Sequence, residues 1–252
     1  IKEAIAEGGA KLILPEYTER VAGEISMPVR FFVLSNLGSR APPVVLLIIP
    51  AMVDSSDNSS ANTIFVVSQI AAVAKKAFSG QVRVEIQAPT SLDAQITAIG
   101  GRFDAVKQQY VLPYNTAYSF RVPTLIVTNA NITGEQSDGT VPGGIFGRTY
   151  LGKNITITSS HALRNVSGNK FTARNVKNSL HEVGHLFGLG NLASPHCSNT
   201  ACVMHFSPSP SEIDKVGLEF CPSCQEKLTR RSQTRFLGEN VSLDNGSLDN
   251  IT

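Results

Sequence analysis

His181-Glu182-Val183-Gly184-His185-Leu186-Phe187-Gly188-Leu189-Gly190 is the stretch on which the reading of this chain turns. On a helix, residues four apart share a face, so His181 and His185 can direct both imidazoles at one metal ion. Glu182 sits one step round the helix, near enough to hold a metal-bound water without being a ligand. Two imidazoles beside a carboxylate suit a zinc ion that polarises a carbonyl and activates a water while the carboxylate moves protons. Gly188 and Gly190 let the chain leave the helix through left-handed backbone, which glycine tolerates. A five-residue pattern of this kind can arise by chance in 252 residues, so its surroundings decide.

The four cysteines of the chain all fall just downstream, as Cys197, Cys202, Cys221 and Cys224. Four residues separate the first two, eighteen the middle pair and two the last. Four thiolates grouped as two short pairs meet the requirement of a closed, tetrahedral structural zinc site. Cys221-Pro222-Ser223-Cys224 also has the form of a thioredoxin-type redox pair. That motif belongs directly after a strand, at a helix N-terminus that lowers the thiol pKa. Here it follows a short expected helix and precedes a polar tail, and a redox reading leaves Cys197 and Cys202 unexplained. Two disulfides are a third reading. Zinc is preferred to both.

The order His181-Glu-x-x-His185-x-x-Gly188, then His196-Cys197, Cys202-Val203-Met204 and a terminal Cys221-x-x-Cys224, resembles the archaemetzincins, metzincin-like zinc peptidases with a second, four-cysteine zinc site. Val203-Met204-His205-Phe206-Ser207 and Glu219-Phe220-Cys221-Pro222-Ser223-Cys224 support the likeness, and Phe103 to Tyr110 does so more weakly. It covers residues 44–224 and is specific over 181–224. The resemblance implies an α/β fold: a zincin-like (metzincin-type) domain with a twisted mixed sheet, an active-site helix and a small zinc-stapled C-terminal subdomain. It implies peptide-bond hydrolysis, with Glu182 as general base and two zinc ions per chain. The catalytic ion would sit on His181, His185 and His196, and the structural ion on Cys197, Cys202, Cys221 and Cys224. Met204 would lie in a tight turn beneath the metal. One departure is plain: the family places its third histidine three residues after the motif glycine, where this chain has Asn191. His196 comes five residues later, as though residues 191–195 were inserted. An amide oxygen is a poor zinc ligand beside imidazole, and the adjoining His-Cys pair is intact, so His196 is preferred to Asn191.

Composition narrows the function classes. With 42% apolar residues the chain can bury one substantial core, with room for a small annex. A net charge of +2, and no basic patch larger than Lys75-Lys76 or Arg230-Arg231, give no reason to expect a nucleic-acid partner. The longest apolar run, Val44 to Val53, carries Pro50 and falls short of the roughly 20 residues a membrane span needs. No charged start followed by an apolar segment stands near Ile1. Asn58, Asn131, Asn154, Asn165, Asn240, Asn245 and Asn250 stand in seven glycosylation sequons, which leave a secreted protein open. Thiolates meant for zinc are safest in a reducing compartment, so the expectation is a cytoplasmic monomer acting on peptides or proteins.

Along the chain, residues 1–43 read as an N-terminal extension, with helix-friendly residues to Lys11 broken by Gly8-Gly9 and a strand over Val29 to Leu34. The domain is expected over 44–224 and a polar, mobile tail over 225–252. Val44 to Ile49 reads as a strand buried on both faces, Thr63 to Phe78 as a helix, and Val82 to Ile86 as a strand. That β-α-β order predicts a right-handed crossover and a parallel pair. Thr124 to Thr128 is a further buried strand. Ile145 to Tyr150 and Asn154 to Thr158 read as strands, and the resemblance makes one of them the edge strand that binds substrate backbone above the active-site helix. That helix spans Thr172 to Gly188, with Val176, Leu180, Val183, Leu186 and Phe187 on its buried side. A short helix is expected to start near Ser211. The rival to an enzyme is a catalytically weak zinc-binding scaffold or peptide-binding protein that retains the fold.

Overall fold

A computed structural model of the chain divides into two units, Ile1–Pro42 and Pro43–Thr252. The structure describes residues 2–6, 10–14, 44–53, 59–78, 82–190, 196–236 and 247–251, with side chains over 44–53, 63–78, 82–190 and 196–230. In the first unit, β1 (Lys2–Ala6) pairs antiparallel with β2 (Ala10–Leu14), Lys2 opposite Leu14 and Ala6 opposite Ala10. The helix-friendly residues before Lys11 are therefore strands, with Gly8 and Gly9 separating them in sequence. The strand expected over Val29 to Leu34 lies outside the described residues.

The second unit opens with the expected crossover. β3 (Val44–Met52), α1 (Ser59–Ala77) and β4 (Val82–Ile86) follow in order, and β3 pairs parallel with β4. The segment after β4 forms β5 (Thr90–Ser91), α2 (Leu92–Ala98), β6 (Arg102–Asp104) and β7 (Gln109–Leu112). Ser91 caps α2 by accepting from the Ala94 amide, which starts the helix where no long apolar period announces one. Next come β8 (Thr124–Thr128), β9 (Ile132–Gly134), β10 (Ile145–Tyr150), β11 (Ile155–Ser159) and α3 (Gly168–Leu186). The last elements are α4 (Pro210–Lys215), α5 (Pro222–Phe236) and β12 (Ser247–Ile251).

One seven-stranded mixed sheet has the order β12-β10-β11-β8-β3-β4, with β5 also on β3. The strands from β11 to β4 run parallel, and β10 and β12 are antiparallel to their neighbours. β8 shows why a parallel strand reads as a continuous apolar run. Leu125 and Val127 join a core with α1 and α3, whereas Ile126 points into a second core with Leu92, Ile96 and Leu112. Side chains alternate across a strand, so both faces are covered. α1 and α3 lie over the first face, and Val67, Ile70, Val176, Leu180 and Val183 are buried between them and the sheet. Full burial of each such side chain stabilises the fold by about 1.5–3 kcal/mol.

Three contacts fix β10 in place. The Arg148 guanidinium is fully buried and donates to the carbonyls of Leu112 (3.2 Å), Pro113 (2.6 Å) and Glu135 (3.0 Å), which ties β10 to the small β6-β7-β9 sheet. Gly134 has to be glycine there, because a Cβ would stand 2.1 Å from Arg148 Nη2. On the other side Asn178 of α3 donates to the Phe146 carbonyl at 3.0 Å, and Thr149 reaches the Glu182 carbonyl at 3.2 Å.

Several boundaries differ from those expected: α1 starts at Ser59 rather than Thr63, and α3 at Gly168 rather than Thr172. α4 starts at Pro210 rather than Ser211, because Ser209 accepts from the Glu212 amide as N-cap and proline suits the first helical position. Arg174 of α3 then grips Asp214 through both carboxylate oxygens at 2.7 Å, and this donation holds that carboxyl well below the usual range. The division drawn at residue 224 falls inside α5, whose charged surface hid a helix that starts on Pro222. β12 pairs with the outer side of β10, Tyr150 opposite Ser247 and Ile145 opposite Ile251. β10 is therefore not the outermost strand of the sheet. No helix among the described residues is long and apolar enough to cross a membrane.

Candidate metal centre and active site

The second half of α3 carries the histidines and is buried almost throughout. His181 Nδ1 lies 2.8 Å from the Val203 carbonyl, and His185 Nδ1 lies 2.8 Å from the Leu189 carbonyl. A carbonyl oxygen only accepts, so each Nδ1 carries the proton. Burial, reinforced by the mutual proximity of the rings, pushes His181 well below its ordinary pKa. Burial lowers His185 to about 4. Both imidazoles are thus neutral near pH 7, with the lone pair on Nε2. The two Nε2 atoms face each other at 3.0 Å. Two neutral lone pairs cannot hydrogen-bond to one another, and a shared cation is what would reconcile them. Two nitrogens on a tetrahedral zinc at its usual bond length stand about 3.3 Å apart.

His196 completes the group. One ligand atom each from His181, His185 and His196 can be chosen so that all lie within 4.8 Å of one another. Its ring centroid is 5.2 Å from His181 and 5.4 Å from His185. The lengthened connection before it does not carry His196 away, while Asn191 and the residues to Pro195 lie outside the described residues. The anchor is on the other side of His196: the Cys197 amide donates to the Met204 carbonyl at 2.9 Å. Met204 itself lies against Gly184 of α3, where a Cβ would come within 2.3 Å of the sulfur. A side chain at Gly184 would force Met204 and its turn to shift away from α3. Gly188, at φ 88°, ends the helix as expected and swings the Leu189 carbonyl onto His185.

Among the described residues the other group that could hold a metal is Cys197, Cys202, Cys221 and Cys224, whose sulfurs all lie within 4.8 Å of one another. Cys197 Sγ and Cys221 Sγ are 3.7 Å apart. A disulfide needs about 2.05 Å, whereas the edge of a tetrahedral zinc–thiolate cage is about 3.8 Å. Cys221-Pro222-Ser223-Cys224 does stand at a helix N-terminus, contrary to the sequence argument against a redox pair. What separates the readings is that Cys202, whose sulfur accepts from the Cys221 amide at 3.2 Å, and Cys197 are gathered round the same point. Burial raises the thiol pKa of Cys202 and Cys224, which a closed site offsets because a bound dication deprotonates the thiols outright.

Glu182 is fully buried between α3 and β10. Thr149 Oγ1 stands 2.5 Å from its Oε2, and Thr156 Oγ1 stands 3.4 Å from the same oxygen. Oε1 and the side-chain carbons lie along Gly147, where a Cβ would meet them at 2.8–3.0 Å. Gly147 and Thr149 escaped the sequence reading. Their spacing of two on a strand, which puts them on one face, was the available signal. Phe206 was missed as well: it is partly exposed and its ring lies 4.8 Å from His196. A cavity of 360 Å³ among Thr63, Asn129, Arg164 and Phe171 lies at the N-terminal end of α3 and includes none of these side chains.

The model of Peptidase family M54 matches residues 125–230. The archaemetzincin of Aeropyrum pernix is 37% identical over 101 residues, which are 39% of this chain and 52% of that protein. The archaemetzincin of Archaeoglobus fulgidus is 31% identical over 115 residues, 46% of this chain and 68% of that protein. The matched part of the chain thus spans about half to two thirds of the length of these relatives. Among solved structures, archaemetzincin from Methanopyrus kandleri superposes with a TM-score of 0.57 at 23% identity, covering 78% of this chain and 99% of that one. Archaemetzincin from A. fulgidus complexed with malonate gives 0.51 at 25% identity, covering 73% and 99%. The His-Glu-x-x-His helix, the histidine that follows it and the four gathered cysteines all fall inside the span of the family model. With kinship at this level to the A. fulgidus protein, the chain belongs to the archaemetzincin family.

Proposed function

We propose that the chain is a zinc-dependent metallopeptidase that hydrolyses peptide bonds, with two zinc ions per chain. The observation that supports this most is the pair of neutral Nε2 atoms facing each other at 3.0 Å, with His196 beside them and the Glu182 carboxylate on the same helix. His181, His185 and His196 would hold the catalytic ion, and Cys197, Cys202, Cys221 and Cys224 the structural one. Zinc at an open three-histidine site supplies Lewis acidity toward a peptide carbonyl and lowers the pKa of a water. The remaining work falls to the chain. Val203 and Leu189 hold the imidazoles in the tautomer that leaves Nε2 available. Glu182 takes a proton from the attacking water and later passes one to the leaving amine. Burial of Glu182 keeps bulk water from competing for that carboxylate.

β10 is the strand along which a peptide backbone would add, since its inner face touches Glu182. β12 holds the outer side of β10, so a substrate strand has to displace this tail.

Hydrolysis of a broad peptide library by zinc-loaded protein tests the reading. Turnover should vanish on chelation and return with zinc, and zinc-loaded protein that leaves every peptide intact would leave only the scaffold alternative. The same assay on a chain carrying both Leu248→Pro and Asp249→Pro tests the tail. Backbone amides alternate in direction along a strand, so one of the two prolines removes a donor aimed at β10. A lower KM is expected, and an unchanged KM would mean that β12 does not contest the substrate strand.

A further inference from the structure

The contacts between Glu182 and the sheet are closer than packing alone requires. Thr149 has one hydroxyl proton and three oxygens in reach: Glu182 Oε2 at 2.5 Å, Thr156 Oγ1 at 2.7 Å and the Glu182 carbonyl at 3.2 Å. A carboxylate oxygen is the strongest acceptor of the three and also the nearest, so Thr149 donates to Oε2. Thr156 in turn has its shortest contact with Thr149, ahead of the Arg148 carbonyl at 3.2 Å and Oε2 at 3.4 Å. The two hydroxyls thus form a relay from β11 through β10 to the carboxylate. Gly147, two residues before Thr149, leaves the slot that the other carboxylate oxygen occupies. The slot cannot drift relative to α3, because Asn178 pins the Phe146 carbonyl and Arg148 pins the far side of the strand.

We propose that Thr149 is the positioning residue of the general base: it holds Oε2 of Glu182 so that Oε1 is the oxygen presented to the water. The inference rests on the reading of Glu182 as general base. Thr149 is a positioning residue, acting through the Glu182 carboxylate that it holds. Thr156 orients the Thr149 hydroxyl and has the smaller share.

Steady-state hydrolysis of one peptide by full-length, zinc-loaded wild type, Thr149→Val, Thr149→Ser, Thr156→Val and Glu182→Ala tests this, with zinc counted in each preparation. Valine keeps the shape of threonine and lacks the hydroxyl. Thr149→Val should lower kcat about 10- to 100-fold, part of what a general base contributes, with KM within about two-fold of wild type and zinc content unchanged. Thr149→Ser should recover most of the loss, and Thr156→Val should lose less than Thr149→Val. A second readout is independent of turnover: in crystals of Thr149→Val the Glu182 carboxylate should leave its place beside Gly147, and in Thr149→Ser it should stay. Wild-type kcat in Thr149→Val, or equal impairment of the valine and serine variants, would overturn the proposal while Glu182→Ala still abolishes turnover. Turnover undiminished in Glu182→Ala would instead remove the base itself, and the positioning role with it.

Discussion

Replacing Glu182 by alanine should lower peptide turnover by about 10²- to 10⁴-fold or more, the usual share of a general base, while the chain keeps its zinc. Glu182 is not one of the three histidines gathered as a possible metal site, and Oε2 of its carboxylate lies against Thr149 and Thr156. On the proposed function its loss removes a base and no ligand. Thr149 would be deprived of its best acceptor but still has the Glu182 backbone carbonyl at 3.2 Å, which survives the substitution. The stability loss should stay near 1 kcal/mol, or roughly 2–4 °C in melting temperature for a chain of this size. Zinc lost together with activity would make Glu182 a ligand or a structural partner, and the role given to it here would be wrong.

His196→Ala should weaken zinc binding at the histidine site far more than Asn191→Ala. Loss of an outer partner of a zinc ligand commonly costs about 10–100-fold in affinity, and loss of one of three imidazoles should exceed that. The argument for His196 is its place beside the two helix histidines and its tether through Cys197 to Met204. Thiolate binding should be unaffected in either variant. A zinc-competition titration in which Asn191→Ala is the weaker binder would make the amide the ligand. Indifference to both substitutions would favour the scaffold reading.

Much of this site was legible because its chemistry is local. His181, Glu182 and His185 share one helix, and a helix fixes their relative directions without help from the rest of the fold. The four cysteines were legible as two short pairs, the grouping that a closed zinc site requires. His196 was harder: whether an imidazole after a lengthened loop reaches two others depends on the Cys197–Met204 contact, and sequence spacing does not encode it. The parallel strands β3 and β8 were readable as apolar runs, because each is buried on both faces. β1 and β2 were not legible as strands, because propensity is a weak guide in short segments and strand pairing overrode it. α5 was hidden by the polar surface of its exposed turns. The slot for Glu182 was out of reach for a different reason. Gly147 and Thr149 matter only once β10 is laid across α3, a contact between residues more than thirty positions apart.

The most direct measurement follows zinc and turnover together during stepwise chelation of the saturated protein. Two zinc ions per chain are expected at the start. The open histidine site should empty before the closed thiolate cage, and hydrolysis should fall to background as the first ion leaves, with one ion still bound. At most one zinc at saturation, or turnover that persists after the first ion has gone, would contradict the account.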